Sequence, residues 1–155
     1  MGTNRRGDAG REASDADAGL WRGRSVARRF VSPDGFIVLV GRTAADNDVL
    51  TLKLGDPGDF WLHVAGASGS HVVVRNPDRL DRLPRDTIRF AAALAAGHSR
   101  ARGAARAEVH VARCADVSKP RGAPPGQVAL RRFTTVRVAP TREPAGPAPA
   151  TVPEH

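Results

Sequence analysis

Residues 59–74 carry aromatic, imidazole, glycine and serine side chains in a pattern that suits contact with an anionic ligand that also has a flat ring. Two runs of strand-forming residues flank the turn-forming segment 66–70, which predicts a β-hairpin. Because side chains alternate along a strand, Trp61 and His63 should share one face, opposite the aliphatic residues of the same strand. The glycines of the turn leave backbone amides free to hold a phosphate group.

A second motif is the loop 119–126, with the sequence Lys-Pro-Arg-Gly-Ala-Pro-Pro-Gly. Its prolines stiffen the backbone around Lys119, Arg121 and Gly122, so the two cations lose less conformational entropy when they meet a phosphate. A solvated turn between two strands is the alternative interpretation of the same residues. Composition leaves both interpretations open.

His63, His71, His110 and Cys114 are of types that bind metal ions or act as nucleophiles. They allow a metal site or a metal-dependent hydrolase as an alternative, with His110 and Cys114 on one face of a predicted strand. Paired spacings such as Cys-x-x-Cys are absent, and no nucleophile turn surrounds Cys114, which also fits a small buried hydrophobe. We therefore predict no catalytic residue, no metal and no cofactor.

Local patterns predict the elements that position these residues. The turn signal 32–35 between two β-rich runs predicts an opening hairpin. Residues 46–54 favour a short helix, begun by Asp46 or Asn47, over a strand.

Apolar residues at helical spacing predict a second helix over 87–98, capped by Asp86. Further strands are expected near 108–113, 127–132 and 135–139. The sum is an α+β fold with about two helices and a mixed, mostly antiparallel sheet, because the strands are largely consecutive, with the helices on one side of it.

Composition shifts divide the chain into a folded middle and two tails. Residues 1–27 and 141–155 hold too few clustered apolar side chains to offset their ordering entropy, so both are predicted to be disordered. Residues 28–140 are enough for one domain with a modest core.

Charge limits the choice of partner. The chain has 155 residues, 24 Lys+Arg against 16 Asp+Glu, and a formal net charge of +8. Such a balance favours nucleic acid or an anionic membrane, and a basic amphipathic helix of the membrane-surface type is not found. Without an apolar run of roughly 20 residues or an apolar signal segment, and with a single cysteine, a cytoplasmic location without membrane contact is expected.

Taken together, these motifs resemble the NFACT-R domain, also called DUF814, the RNA-binding domain of proteins in ribosome-associated quality control. The similarity covers nearly all of the folded middle, in ordered blocks at compatible spacing. The blocks are 30–36, 40–51, 59–74, 91–96 with Ser99, 117–128 and 135–138. Two positions depart from the family pattern, since Thr43 stands where Asn is usual and Ser68 where Pro is usual.

The resemblance implies a non-catalytic protein that binds tRNA or ribosomal RNA, with the large ribosomal subunit as a candidate partner. It does not imply a full quality-control factor, because long family members join this domain to several others. In the resulting hypothesis, phosphates are held by basic side chains and loop amides, and a ring or amide meets a base or ribose. The twelve predicted contact residues are Arg42, Asn47, Trp61, His63, Gly66, Ser68, Gly69, Ser70, His71, Lys119, Arg121 and Gly122.

Three of these residues also fit purely structural roles. Trp61 fits a second core beneath a helix, His71 fits a cap of the turn, and Asn47 fits a helix cap. A second class of function also remains, an adaptor that binds DNA or a partner protein through its basic surface.

Overall fold

An antiparallel sheet organises the part of the chain that the structure, a computed structural model, describes: residues 14–147. The strands are β1 (Leu20–Trp21), β2 (Arg24–Ser25), β3 (Ala27–Val31), β4 (Ile37–Gly41), β5 (Phe60–Val64), β6 (Val72–Val74), β7 (Ala107–Arg113), β8 (Val117–Ser118), β9 (Ala129–Leu130) and β10 (Thr134–Val138). Six of them form the sheet in the order β10-β7-β5-β6-β4-β3. The helical segments are α1 (Ala44–Val49), the π-helical turn Leu50–Leu54, α2 (Arg85–Gly97) and the 3-10 turn Cys114–Asp116. The predicted α+β fold with two α-helices is confirmed for these residues.

Both predicted hairpins are present. Strands β3 and β4 pair antiparallel, and Gly35 in their turn has a φ of +88°, a left-handed conformation that glycine adopts readily. The Ser32 hydroxyl accepts a hydrogen bond from the Phe36 amide at 3.1 Å and so closes this turn. Strands β5 and β6 form the second hairpin. The order of the strands along the chain therefore follows the sequence patterns.

The sheet is covered on both faces, whereas helices were expected on one side only. On the first face, Leu62 packs in a core with Leu94 and other residues of α2. On the second face, Trp61 packs with Leu50 and Leu54 of the π-helical turn. The physical reason is that the short helical segment after β4 is itself apolar on one side, so it buries Leu50 and Leu54 against the face opposite α2.

The folded part begins before residue 28. Strands β1 and β2 pair with each other, and Val26 is fully buried against the second face of the sheet. Residues 14–27 therefore differ from the prediction of disorder, because Val26 and Ala27 are buried and the partly buried Ala16 and Trp21 pack in the same cluster. Residues 1–13 and 148–155, which belong to the predicted tails, lie outside the described residues.

The starts of both helices differ from prediction. Thr43 caps α1, since its hydroxyl accepts a hydrogen bond from the Asp46 amide at 3.0 Å. Helix α2 begins at Arg85 after Pro84 without a side-chain cap, so Asp86 lies in the first turn instead. Each helix therefore starts directly after the residue at its N-cap position, which is Thr43 for α1 and Pro84 for α2.

The predicted strand over 127–132 is reduced to β9, which pairs with β8 in a separate two-stranded sheet. Within residues 14–147, no helix is long and apolar enough to cross a membrane.

Candidate functional site

A cleft of about 840 Å³ opens between two loops. One is the connection between β5 and β6, named here the glycine loop (residues 66–70), and the other is the proline loop (residues 119–127), which lines the cleft through residues 124–127. The structure brings nine of the twelve predicted contact residues together in this cleft. They are Arg42, Asn47, Trp61, His63, Gly66, Ser68, Gly69, Ser70 and His71.

A chain of hydrogen bonds beside the cleft joins the sheet, the π-helical turn and the proline loop. Trp61 Nε1 donates to Thr51 Oγ1 at 3.1 Å, and Thr51 Oγ1 lies 2.7 Å from His71 Nδ1. His71 Nε2 lies 2.9 Å from the Gly126 carbonyl oxygen. Because a carbonyl oxygen only accepts, Nε2 carries the proton and the Thr51 hydroxyl donates to Nδ1. These bonds fix the proline loop against the start of β6.

The imidazole of His71 is neutral in the folded protein. Burial lowers its pKa to about 4, and the neighbouring His63 ring acts in the same direction. The His63 pKa is also lowered, chiefly by burial. A protonated His71 could not accept the Thr51 hydroxyl hydrogen, so the hydrogen-bond chain requires the neutral form.

Folding stability should therefore fall in mild acid. The His71 pKa is about 6.5 when unfolded and about 4 when folded, so its contribution is complete above pH 6.5 and is lost as the pH falls towards 4. We expect the free energy of unfolding to drop by about 2 kcal/mol between pH 7 and pH 5 from this group. Urea unfolding at the two pH values measures the drop, and the His71→Gln variant should show a smaller one. An equal drop in both proteins would contradict the assignment.

The Asn47 side chain holds the end of the glycine loop through two hydrogen bonds. Its Oδ1 accepts from the His71 amide at 3.0 Å, and its Nδ2 donates to the Gly69 carbonyl oxygen at 3.2 Å. The Ser70 hydroxyl adds a hydrogen bond to the Gly41 carbonyl oxygen at 2.7 Å. The glycine loop is thus held at three points by β4 and α1.

Burial changes the roles of three predicted contact residues. Trp61 is 2% exposed, so it has no open ring face for a base. It lies in the second core, as in the structural alternative given above. Asn47 and His71 are also buried, and their side-chain polar atoms bond within the protein, which leaves them no free group to read a 2'-hydroxyl. His63 is half-buried and stacks on Trp61 with ring centroids 5.8 Å apart. It is the ring of this group that can still meet a ligand in the cleft.

The proline loop separates its two cations. Lys119 Nζ donates to the carbonyl oxygens of Pro124 and Gln127 and lies 3.0 Å from Asp48 Oδ2. It therefore ties the loop to itself and to α1. Arg121 is exposed, and Gly122 beside it has a φ of +78°. Neither Arg121 nor Gly122 lines the cleft, and Arg121 is open to solvent outside it.

The geometry of residues 14–147 does not support the metal-site alternative. Among residues 14–147, no group of three or more His, Cys, Asp or Glu side chains is placed to hold a metal ion. Cys114 is buried in the second core, and this burial raises the pKa of its thiol to about 12. Such a thiol is protonated at neutral pH, which is unsuited to nucleophilic attack.

A basic recess adjoins the cleft and was missed by the sequence analysis. It shares Arg42, His98 and the glycine loop with the cleft and has a volume of about 340 Å³. The five arginines that line this arginine recess are Arg28, Arg42, Arg100, Arg102 and Arg142. They come from segments far apart in the chain, so no local sequence motif predicts the recess. The high net charge is the one sequence feature that indicates a basic surface.

A comparison with known protein families identifies the domain that contains the cleft. The family model described as the NFACT protein RNA-binding domain matches residues 27–132. The chain belongs to this NFACT-R family. The match takes in the sheet from β3 to β7, both α-helices, the glycine loop and the proline loop, so the cleft lies within the NFACT-R domain.

Individual proteins agree with the NFACT-R match. The chain is 38% identical over 122 residues to the Rqc2 homolog RqcH of Streptococcus suis, covering 77% of this chain and 21% of that protein. It is 35% identical over 115 residues to RqcH of Bacillus subtilis, covering 74% and 20%. The chain thus spans about a fifth of the length of these relatives.

A solved structure has the same fold. The C-terminal part of the fibronectin/fibrinogen-binding protein from Streptococcus suis superposes with a TM-score of 0.71 at 35% identity, covering 76% of this chain and 47% of that one. A shorter similarity of 33% over 72 residues links the chain to ribosome quality control complex subunit 2 of Schizosaccharomyces pombe, covering 46% and 7%.

Proposed function

We propose that this chain binds RNA through the cleft, as a non-catalytic module that works with the ribosome in quality control of translation. The observation that carries the proposal is the cleft itself, where Arg42, His63 and the glycine loop meet. A cation, a ring and loop amides at one place suit a phosphate next to a base or ribose. Membership of an RNA-binding family supports the same ligand class.

The ribosomal setting rests on the relatives. The Schizosaccharomyces pombe relative is named as a subunit of the ribosome quality control complex. RqcH is named as a homolog of Rqc2. We therefore take tRNA and ribosomal RNA as ligands, the large ribosomal subunit as the partner and the cytoplasm as the compartment. The absence of catalysis is proposed because Cys114 is buried and the two ring nitrogens of His71 are engaged in hydrogen bonds within the protein.

The two cations of the proline loop should behave differently when replaced. Arg121→Ala is expected to weaken tRNA binding and to lower the slope of log affinity against log salt by about one, with an unchanged melting temperature, because Arg121 is exposed. Lys119→Ala should also lower the melting temperature, since it releases the loop from Asp48. Fluorescence anisotropy with labelled tRNA at several salt concentrations, together with melting curves, measures both effects.

The matched control is Lys53→Ala, which removes an exposed charge on the π-helical turn that lines neither the cleft nor the arginine recess. An Arg121→Ala protein with the control's slope would remove Arg121 from the interface. In cells, crosslinking followed by sequencing of the bound RNA should recover tRNA or large-subunit ribosomal RNA. Recovery of neither would contradict the ribosomal setting.

A second groove favours the adaptor as the alternative function. It has a volume of about 850 Å³ and is lined by Phe133, Val136 and Ile88 together with six arginines and two aspartates. Phe133 is 49% exposed. An apolar floor with a basic rim suits an acidic protein segment. Competition between structured RNA and duplex DNA, each at raised salt, separates recognition of RNA from binding by charge alone, because an electrostatic adaptor would not prefer the RNA.

A further inference from the structure

The arginine recess gathers more positive charge than any other feature of the cleft region. Its lining includes five arginines, from β3, from the residue after β4, from the segment after α2 and from the segment after β10. Among residues 14–147, no aspartate or glutamate lines it. Guanidinium groups with like charge repel one another, so a recess of this kind is stabilised when an anion enters.

Most N–H donors of these arginine side chains make no hydrogen bond within residues 14–147. Arg42 Nε donates to the Ser25 hydroxyl at 3.0 Å, and Arg102 Nη1 donates to the Ser99 carbonyl oxygen at 3.3 Å. Within residues 14–147, the side chains of Arg28, Arg100 and Arg142 make no hydrogen bond or ion pair. Each guanidinium presents up to five N–H donors in a fork that matches the oxygens of a phosphate.

The fold builds the recess through close backbone approaches. A Cβ on Gly69 would lie 2.5 Å from Ser99 Cβ, so only glycine lets the glycine loop reach the segment after α2. There the Ser70 amide donates to the His98 carbonyl oxygen at 3.0 Å, and the Arg100 amide donates to the Ser68 carbonyl oxygen at 2.9 Å. These two bonds hold Arg100 beside the glycine loop.

The segment after β10 is fastened in the same way. The Thr141 amide donates to the Ala93 carbonyl oxygen at 3.1 Å, and His98 Nε2 donates to the Arg142 carbonyl oxygen at 3.1 Å. A Cβ on Gly97 would lie 2.3 Å from the Thr141 carbonyl oxygen, so this approach also depends on glycine. Burial lowers the His98 pKa, and the nearby Glu143, which acts in the opposite direction, does not line the recess.

We propose that the arginine recess is a phosphate-binding site that takes the phosphate next to a nucleoside lying in the cleft. The glycine loop separates the two spaces and lines both, so a base or ribose beside His63 and a phosphate beside Arg100 can belong to one nucleotide chain. The identity of the attached chain rests on the proposed RNA binding, whereas the phosphate site itself rests on the recess alone. The phosphate comes either from an internal diester or from a terminal monoester.

The test compares two triple variants of equal charge. The recess variant carries Arg28→Gln, Arg100→Gln and Arg142→Gln, and the control carries Arg29→Gln, Lys53→Gln and Arg106→Gln, three exposed cations that line neither the recess nor the cleft. Binding of inorganic phosphate is measured by calorimetry at constant ionic strength. Binding of a single-stranded RNA of about 12 nucleotides, a length within the usual range for such sites, is measured by anisotropy, once with a 5'-phosphate and once with a 5'-hydroxyl.

We expect the recess variant to lose phosphate binding, to bind the RNA at least about tenfold more weakly than the control, and to show a salt slope lower by about one. A 5'-phosphate preference in the unchanged protein that disappears in the recess variant identifies a terminal monoester, and equal binding of both RNAs identifies an internal diester. Equal losses in the two variants would overturn the proposal. Phosphate binding that depends on the recess in a protein that binds no RNA would uphold the recess and reject the proposed function.

Discussion

Replacement of Trp61 by alanine is expected to destabilise the protein by about 3 to 5 kcal/mol. The indole is 2% exposed and fills the second core, where it packs with Leu50 and Leu54. Its removal leaves a large cavity and also removes the donor to Thr51 Oγ1. Since a domain of this size is stable by about 5 to 15 kcal/mol, the melting temperature should fall by roughly 10 to 20 °C. Urea unfolding and a melting curve measure the loss.

Trp61→Phe separates the structural role from a ligand contact. Phenylalanine keeps most of the apolar volume but loses the N–H donor and part of the ring, so about 1 to 2 kcal/mol of the loss should remain. Its affinity for RNA should match that of the unchanged protein, because the ring it replaces is closed to solvent. A Trp61→Ala protein that keeps its stability but loses RNA affinity would instead make Trp61 a contact residue.

The case of Trp61 shows what strand periodicity can and cannot decide. Alternation along β5 correctly set Trp61 and His63 on the face opposite Leu62. It could not decide whether that second face meets solvent or another element, because the answer depends on where the chain goes after β4. The short apolar segment Leu50–Leu54 covers the face at Trp61 and leaves His63 half-buried. A residue's face is thus a local property, and its burial is not.

The two loops show the same limit for polar residues. The sequence correctly predicted the hairpin around the glycine loop, and nine predicted contact residues do line one cleft. Which of them remain free for a ligand depends on partners more than twenty residues away, such as Asn47 for the His71 amide and Asp48 for Lys119. The arginine recess is the extreme case, since Arg28 and Arg142 are 114 positions apart and meet only in the fold.

Asn47→Ala should destabilise the protein by about 1 to 3 kcal/mol, because it leaves the buried His71 amide without an acceptor and frees the Gly69 carbonyl oxygen. The glycine loop then loses its attachment to α1. We therefore expect weaker RNA binding as well, since loop amides that are no longer held in place cost more entropy to order around a phosphate. Urea unfolding and anisotropy with labelled tRNA measure the two losses.

Gly41→Ala should reproduce this defect from the opposite side of the same contact. A Cβ at Gly41 would lie 2.0 Å from Asn47 Oδ1, a distance that forces the amide away from His71. The cost should be about 1 to 3 kcal/mol when the change is made alone. Combined with Asn47→Ala, it should be much smaller, because the remaining Asn47 Cα lies 3.4 Å away in ordinary contact. The double variant is thus expected to lose less stability than the sum of the single losses, with a coupling of about 0.5 to 3 kcal/mol.

Gly103→Ala is the matched control for the added methyl group, since its Cβ would meet no atom within 4 Å and its φ is not positive. We expect it to leave both stability and RNA affinity unchanged. Additive losses in the Gly41 and Asn47 pair would show that the added Cβ disturbs β4 itself rather than the amide, and the glycine loop would then have to be held by the Ser70 hydroxyl bond to the Gly41 carbonyl oxygen.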